Sequence, residues 1–393
     1  MIKISNLTIS KDDKWCTISV DIDAINIKNP FKSKKIWFTV KKENEWMINN
    51  ISYDAFILIP TYLGMYYGTD VVIEGNVSKK LYHNLIHYIM PIFLNFSKDL
   101  KSINVNVDGF TTNLNQNAKL IGTGISCGID SLCTIYENYE KEKDESYKIN
   151  SLFLFNCGTH GDFENGRTQK IFENRLKLNE KAAKDLKLPI YFVNTNLHSF
   201  THLIGEQKMG YLAIYSCILC LQNALKKYYV SSSYSYEEIL QFHNQSYDFD
   251  MAEHCESYLV PLIQTESLEF ILDGCQYKRS EKTKIISDWH IAQNHLNICI
   301  DPKNDAKNCS ICSKCLRTLF PLDVMGKLDK FDKVFNLEKY YKIRNKNIDN
   351  LVWHYGENGF DTDNIDFARK NNFKLPTKFK VFFRKLFRKI MRK

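Results

Sequence analysis

Residues 120–131 read Leu120-Ile121-Gly122-Thr123-Gly124-Ile125-Ser126-Cys127-Gly128-Ile129-Asp130-Ser131. The first five residues predict a short strand, and 130–140 predict the helix that follows it. Small residues crowd the turn between them. This is the local chemistry that phosphate binding needs: backbone N–H groups free to point inward, little side-chain bulk, and a helix N-terminus aimed at an anion. Ser126 and Ser131 can add hydroxyl donors. Asp130 can cap the helix or hold a metal that bridges phosphates. A helix capped by Asp130 or Ser126 after a glycine-rich turn is the plain structural alternative. No Gly-Lys-Ser/Thr follows, so this is not a Walker loop.

Outward from the loop, strand and helix patterns alternate. Strands are predicted at 151–156, 189–194 and 227–232, and helices at 169–186 and 207–226. That alternation predicts an α/β fold with a parallel sheet and helices on both faces. Ligands then bind beyond the carboxyl ends of the strands. Residues 1–115 are β-rich, with alternating runs at 2–9, 16–25, 35–40, 71–74 and 103–107 and one apolar helix at 79–96. They are expected to form an accessory α+β domain, with an α/β ligand domain over 116–258. Residues 259–345 are expected to be mostly helical, with a helix at 282–295; 346–375 read as a linker, and 376–393 as a basic amphipathic tail.

Twelve cysteines are present. Most are scattered, which suits a reducing cytosol better than a disulfide scaffold. Cys217 and Cys220 lie in an apolar helix and are expected to be core. Cys299, Cys309, Cys312 and Cys315 differ, because two CxxC steps and one distant thiol can close a tetrahedral metal site. Structural zinc is the expected occupant; an iron–sulfur cluster and unligated thiols are the alternatives.

The run Ser126-Cys127-Gly128-Ile129-Asp130-Ser131 resembles the Ser-Gly-Gly-x-Asp-Ser signature of the PP-loop ATP pyrophosphatases, departing from it at Cys127. The resemblance implies a PP-loop fold that binds ATP with Mg²⁺. It implies phosphate contacts at Ser126, Gly128, Asp130 and Ser131, with Cys127 beside them. Thr123, Gly124 and Ile125 would then lie near the nucleotide, and Asn156 and Gly158 near adenine. The late four-cysteine spacing makes the chain most similar to the cyano-deazaguanine synthase branch, over about 119–319. In that branch a carboxylate is adenylated and ammonia displaces AMP. The substrate-binding residues of that branch are not found here, so a different acceptor is expected. Sulfur transfer to tRNA is the runner-up, with Cys127 as the thiol that carries persulfide. A nucleotide-binding module without catalysis is a further alternative.

Arg279, Lys282 and Lys284 can neutralise phosphate charge in the transition state or form a solvated helix face. Arg279 and Lys282 join Asp130 and Ser126 as candidate catalytic groups. His160 and Asp162 fall in a loop at the expected ligand edge, and His243, Glu253 and His254 in a polar stretch after the fourth strand. Net charge is +8, and residues 376–393 hold eight Lys/Arg and no Asp/Glu, so the tail alone accounts for it. Its apolar residues, Phe379, Phe382, Phe383, Leu386, Phe387, Ile390 and Met391, fall on one helical stripe. That pattern suits an anionic membrane surface; nucleic acid and partner docking are alternatives. The start lacks a signal-peptide pattern, and no apolar run nears the length of a membrane span. A cytoplasmic protein is expected, peripheral at the inner face of the membrane if the tail binds lipid.

Overall fold

Strand β6 (Leu120–Gly124) lies inside a mixed sheet of ten strands in the computed structural model, which describes residues 1–111, 118–158, 167–243, 252–299 and 307–391. The other strands are β1 (Ile2–Lys11), β2 (Trp15–Ala24), β3 (Lys35–Lys41), β4 (Val71–Ser78), β5 (Val105–Thr111), β7 (Ser151–Asn156), β8 (Ile190–Thr195), β9 (Leu225–Ser231) and β10 (Glu269–Asp273). Their order is β10-β9-β6-β7-β8-β3-β2-β1-β4-β5. The five strands from β10 to β8 are all parallel, as the alternation predicts.

The N-terminal strands do not form a sheet of their own. They extend the same sheet through an antiparallel junction of β3 with β8, Phe38 opposite Thr195 and Thr39 opposite Asn194. Side chains lengthen this short ladder. Asn196 Oδ1 accepts from the Trp37 N–H at 3.0 Å, its Nδ2 donates to Lys35 O at 2.7 Å, and Thr195 Oγ1 donates to Trp37 O at 2.7 Å. One apolar core runs across the junction, from Ile2, Ile18 and Phe38 to Phe153, Phe155 and the helix Glu206–Cys220. Cys217 and Cys220 are wholly buried in that helix, as expected of core thiols.

The opposite face of the C-terminal strands carries a second core. Ile129, Leu132, Ala182, Ile286 and Phe331 meet there, and so do Cys299, Cys309 and Cys315. Helices therefore cover both faces of the parallel half, the arrangement buried parallel strands require. Residues 346–375 are not a linker. They contain the end of the helix Leu337–Trp353 and all of the helix Gly359–Lys370, which share a third core with Phe320 and Val381. The expected helix at 282–295 is two helices, Arg279–Ile286 and His290–His295. No helix is long and apolar enough to cross a membrane among the described residues.

Candidate functional site

The chain leaves β6 toward β7 and β8 on one side, then returns to place β9 on the other. The end of β6 is thus a topological switch point, where neighbouring connections diverge and leave a crevice. A cleft of about 240 Å³ opens there. Gly124, Ser126 and Ser131 form its loop side, and Phe155, Tyr211 and Tyr228 are among its aromatic walls.

The loop has a specific internal geometry. Ser126 Oγ lies 3.1 Å from Ser131 Oγ and accepts from the Gly128 N–H at 3.3 Å. Ser131 Oγ also donates to Gly128 O at 3.2 Å. The helix Ile129–Ile135, continued by a wider turn over Tyr136–Lys141, starts at Gly128 with no side-chain cap. Neither Ser126 nor Asp130 is spent on capping, so first-turn N–H groups remain beside the two hydroxyls. Thr123 serves the frame instead: it is buried, and its hydroxyl donates to Tyr229 O at 2.9 Å. Ile125 is buried, and Asn179 Nδ2 donates to its carbonyl at 3.0 Å.

Cys127 has φ 55°, in the left-handed region that favours glycine. Its side chain points into the second core and is 1% exposed. Burial pushes its thiol up to about 12. A neutral, enclosed thiol is a poor nucleophile, which does not favour the persulfide role that sulfur transfer would give it.

Asp130 does not face the cleft as a free metal ligand. Its Oδ2 accepts from Arg279 Nη1 at 2.6 Å and its Oδ1 from Lys282 Nζ at 3.2 Å. Burial pushes the carboxyl up, but the charges of Arg279 and Lys282 outweigh it and hold the group below its ordinary value. Lys282 is wholly buried, so it is no solvated helix face, whereas Lys284 is exposed. Lys282 also donates to Ser232 O at 2.6 Å, passing beside Gly274. Gly274 has φ +86°, and a Cβ there would meet the Lys282 amine at 3.2 Å. The helix Arg279–Ile286 is fixed from behind by buried Asp363, which accepts from the Ser280 N–H at 2.9 Å and from its hydroxyl at 2.7 Å. One carboxylate and two cations leave a net positive charge one residue behind the serine pair.

Asn156 ends β7 but lines a different cleft, beside β8 and β3, rather than the one at the loop. Gly158 has φ +122° at the last described position before residue 167. His160 and Asp162 lie outside the described residues, as do the side chains of His243, Glu253 and His254.

The four late cysteines do converge. The sulfurs of Cys299, Cys309, Cys312 and Cys315 all lie within 4.8 Å of one another, the one such group among the described residues. The Cys299–Cys312 and Cys309–Cys315 separations are each 3.9 Å. A tetrahedron with metal–sulfur bonds of about 2.3 Å has edges of roughly 3.8 Å, so the set fits a four-thiolate metal. Ser310 adopts φ 67°, turning the Cys309–Cys312 segment tightly enough for the Cys312 N–H to reach Cys309 Sγ at 3.2 Å. Burial raises the Cys309 thiol, yet the N–H groups of Ile311 and Cys312 aimed at the sulfur win and lower it. Two residues before Cys299, the Asn297 N–H donates to Cys127 O at 2.7 Å, tying the metal segment to the loop.

Asn179, Ser232, Asp363 and Asn297 support the site from distant parts of the chain, and no sequence motif marks them. No family model, curated protein or solved structure matches this chain.

Proposed function

We propose that the cleft at the end of β6 binds ATP and that the protein is an adenylating enzyme of the PP-loop kind. It would split ATP into AMP and pyrophosphate and activate a carboxylate or carbonyl oxygen for attack by ammonia or another nitrogen nucleophile. The observation that carries this reading is the pairing of the Ser126 and Ser131 hydroxyls with an uncapped helix start at a switch-point crevice, with the positive Asp130–Arg279–Lys282 cluster behind the loop. Each element favours an anion, and together they favour a polyanion. The aromatic walls formed by Phe155, Tyr211 and Tyr228 suit a purine. Arg279 carries further N–H donors besides the Nη1 that meets Asp130, and its charge lies behind the loop. Mg²⁺ would come with the nucleotide, since both Asp130 oxygens are engaged by cations.

The four-thiolate set suits zinc as a closed structural site, because no ligand position remains for chemistry. The tail suits peripheral contact with an anionic membrane. Arg384 and Arg388 turn inward to buried Asp349 at 3.0 and 2.8 Å, so the apolar stripe faces outward: Phe379 is 74% exposed and Phe387 64%.

The decisive experiment follows pyrophosphate and AMP from ATP across a panel of carboxylates with ammonia supplied. Turnover that Ser126→Ala and Arg279→Gln each reduce supports the reading. ATP that neither binds nor turns over with any acceptor, in protein holding its full metal complement, sinks it.

A further inference from the structure

A second and larger cleft, about 460 Å³, lies at the junction of the two halves of the sheet. Its floor is a row of polar side chains on four adjacent strands. Thr17 on β2 pairs with Thr39 on β3, Thr39 with Asn194 on β8, and Asn194 with Asn156 on β7. The row exists only because β3 joins β8, so neither half of the chain contains it alone.

Asn156 is 8% exposed, and its Oδ1 has no hydrogen-bond partner among the described residues. The orientation of its amide is fixed by neighbours. Glu173 can only accept, so Gln169 Nε2 turns to it at 3.1 Å and Gln169 Oε1 faces Asn156. Asn156 Nδ2 therefore donates to Gln169 Oε1 and to Asn194 Oδ1, each at 3.0 Å, and Oδ1 is left over. An unpaired buried acceptor is costly unless a ligand or water satisfies it. Next to it, Asn194 has its amide N–H₂ to give, and Thr17 and Thr39 share one bond of 2.7 Å between hydroxyls that can each make others.

Two indoles close the ends. Trp15 stands two residues from Thr17 along β2, and Trp37 two residues from Thr39 along β3 on the opposite side. The register separates them by four positions, roughly 13 Å. They cannot sandwich one aromatic ring, so each offers a separate apolar wall. Among the described residues, the only charged side chain lining the cleft is Asp12, an anion, and no Lys or Arg lines it. His198, also in the lining, is kept below the usual imidazole value by burial and by neighbouring His202. The described lining thus favours a neutral ligand over a phosphate or a carboxylate.

We propose that this junction cleft binds a neutral sugar. Ring hydroxyls both donate and accept, which meets a row that alternates acceptor, donor and hydroxyl. The C–H faces of a pyranose rest against the electron-rich faces of Trp15 and Trp37. The assignment stands apart from the nucleotide reading, since it uses no residue of the loop.

The test is titration of tryptophan emission in the full chain with methyl glucoside, methyl galactoside, N-acetylglucosamine, maltose and chitobiose, alongside adenosine and guanosine. At least one sugar should give a saturable change at millimolar concentration. Trp37→Ala and Asn156→Leu should each weaken it about tenfold, the effect of one lost contact, with circular dichroism and metal content unchanged. Trp37 is half-buried, so its truncation tests the wall even where Asn156→Leu disturbs folding. Saturation by no sugar of the panel, saturation by the nucleosides instead, or a folded Trp37→Ala protein that binds as tightly as the native one overturns the assignment.

Discussion

Replacing Asp130 by Asn keeps the shape of the side chain and removes its charge. The consequence falls first on Lys282, which then holds a buried charge with neutral acceptors, such as Ser232 O, in place of the carboxylate. At an effective dielectric constant of about 20, unit charges 3.2 Å apart attract by about 5 kcal/mol before desolvation. The side chains of Lys282, Arg279 and Asp130 are 1%, 13% and 19% exposed, so solvent screens the cluster little. Breaking such a pair from one side costs about 3–5 kcal/mol, because the surviving charge stays buried. Asp130→Asn and Lys282→Met should therefore each destabilise the protein by about 3 kcal/mol. The double variant removes both charges and should cost about 2 kcal/mol less than the sum of the singles. Urea unfolding of the metal-loaded full chain measures this; with a slope near ~3 kcal/mol/M each single variant moves the midpoint by about 1 M. The pair also has a pH signature. A carboxyl held below its ordinary value adds stability that is present above about pH 4 and lost as pH falls through the folded value. Asp130→Asn should lack this acid limb. Single variants that add without coupling, or that cost under about 1 kcal/mol, would refute the claim that this cluster organises the loop.

Three further outcomes are expected. Cys127, Cys133 and Cys255 are buried thiols pushed up to about 12, so the unfolded chain loses these protons first as pH rises above about 8.5; stability should fall there by up to ~1.4 kcal/mol per pH unit per thiol, and native Cys127 should resist alkylation at neutral pH, read by mass spectrometry of trapped peptides. One equivalent of zinc per chain is expected by elemental analysis, and Cys312→Ser or chelation should lower Tm and, through the Asn297–Cys127 bond, expose Cys127 to alkylation. Vesicles rich in anionic lipid should sediment with the native protein, and Phe383→Ser with Phe387→Ser should abolish this without altering Tm, because those rings are 51% and 64% exposed; equal sedimentation of the variant would remove the tail from any membrane role.

The parallel half of the sheet was legible because its signals are local. Residues 120–124, 151–156 and 189–194 are short apolar runs followed by helical periodicity, and each became a strand within a residue or so. The cysteine cluster was legible because spacing alone brings thiolates together. The helix Leu58–Tyr67 was missed for a physical reason. Eight of its ten residues are buried, so no apolar–polar period marks it, and Pro60 and Gly64 argue locally against a helix. Strand β10 was missed because it is a five-residue edge strand, whose pairing with β9 is set by tertiary contact. Lys282 read as part of a polar helix start because its burial depends on Asp130, 152 residues earlier in the chain. Pairings at such separation leave no periodicity to read.

The same separation explains why the N-terminal strands were expected to form a domain apart. A domain boundary is inferred from a change of pattern, and the pattern does change near residue 118. Yet β3 inserts beside β8, and its bonds with Asn196 and Thr195 span about 160 residues. The outward-facing residues of β2 and β3 alternate with buried ones, as they must on a sheet with one face packed. In an accessory domain, Trp15, Thr17, Trp37 and Thr39 would be a solvated face without purpose. Beside Asn194 and Asn156 they become the floor and walls of a cleft one strand away from the loop strand, since only β7 separates β6 from β8. A ligand there and a nucleotide at β6 would thus occupy neighbouring sites at the ends of adjoining strands. If both proposals hold, the N-terminal half adds a second binding surface beside the parallel half of the sheet.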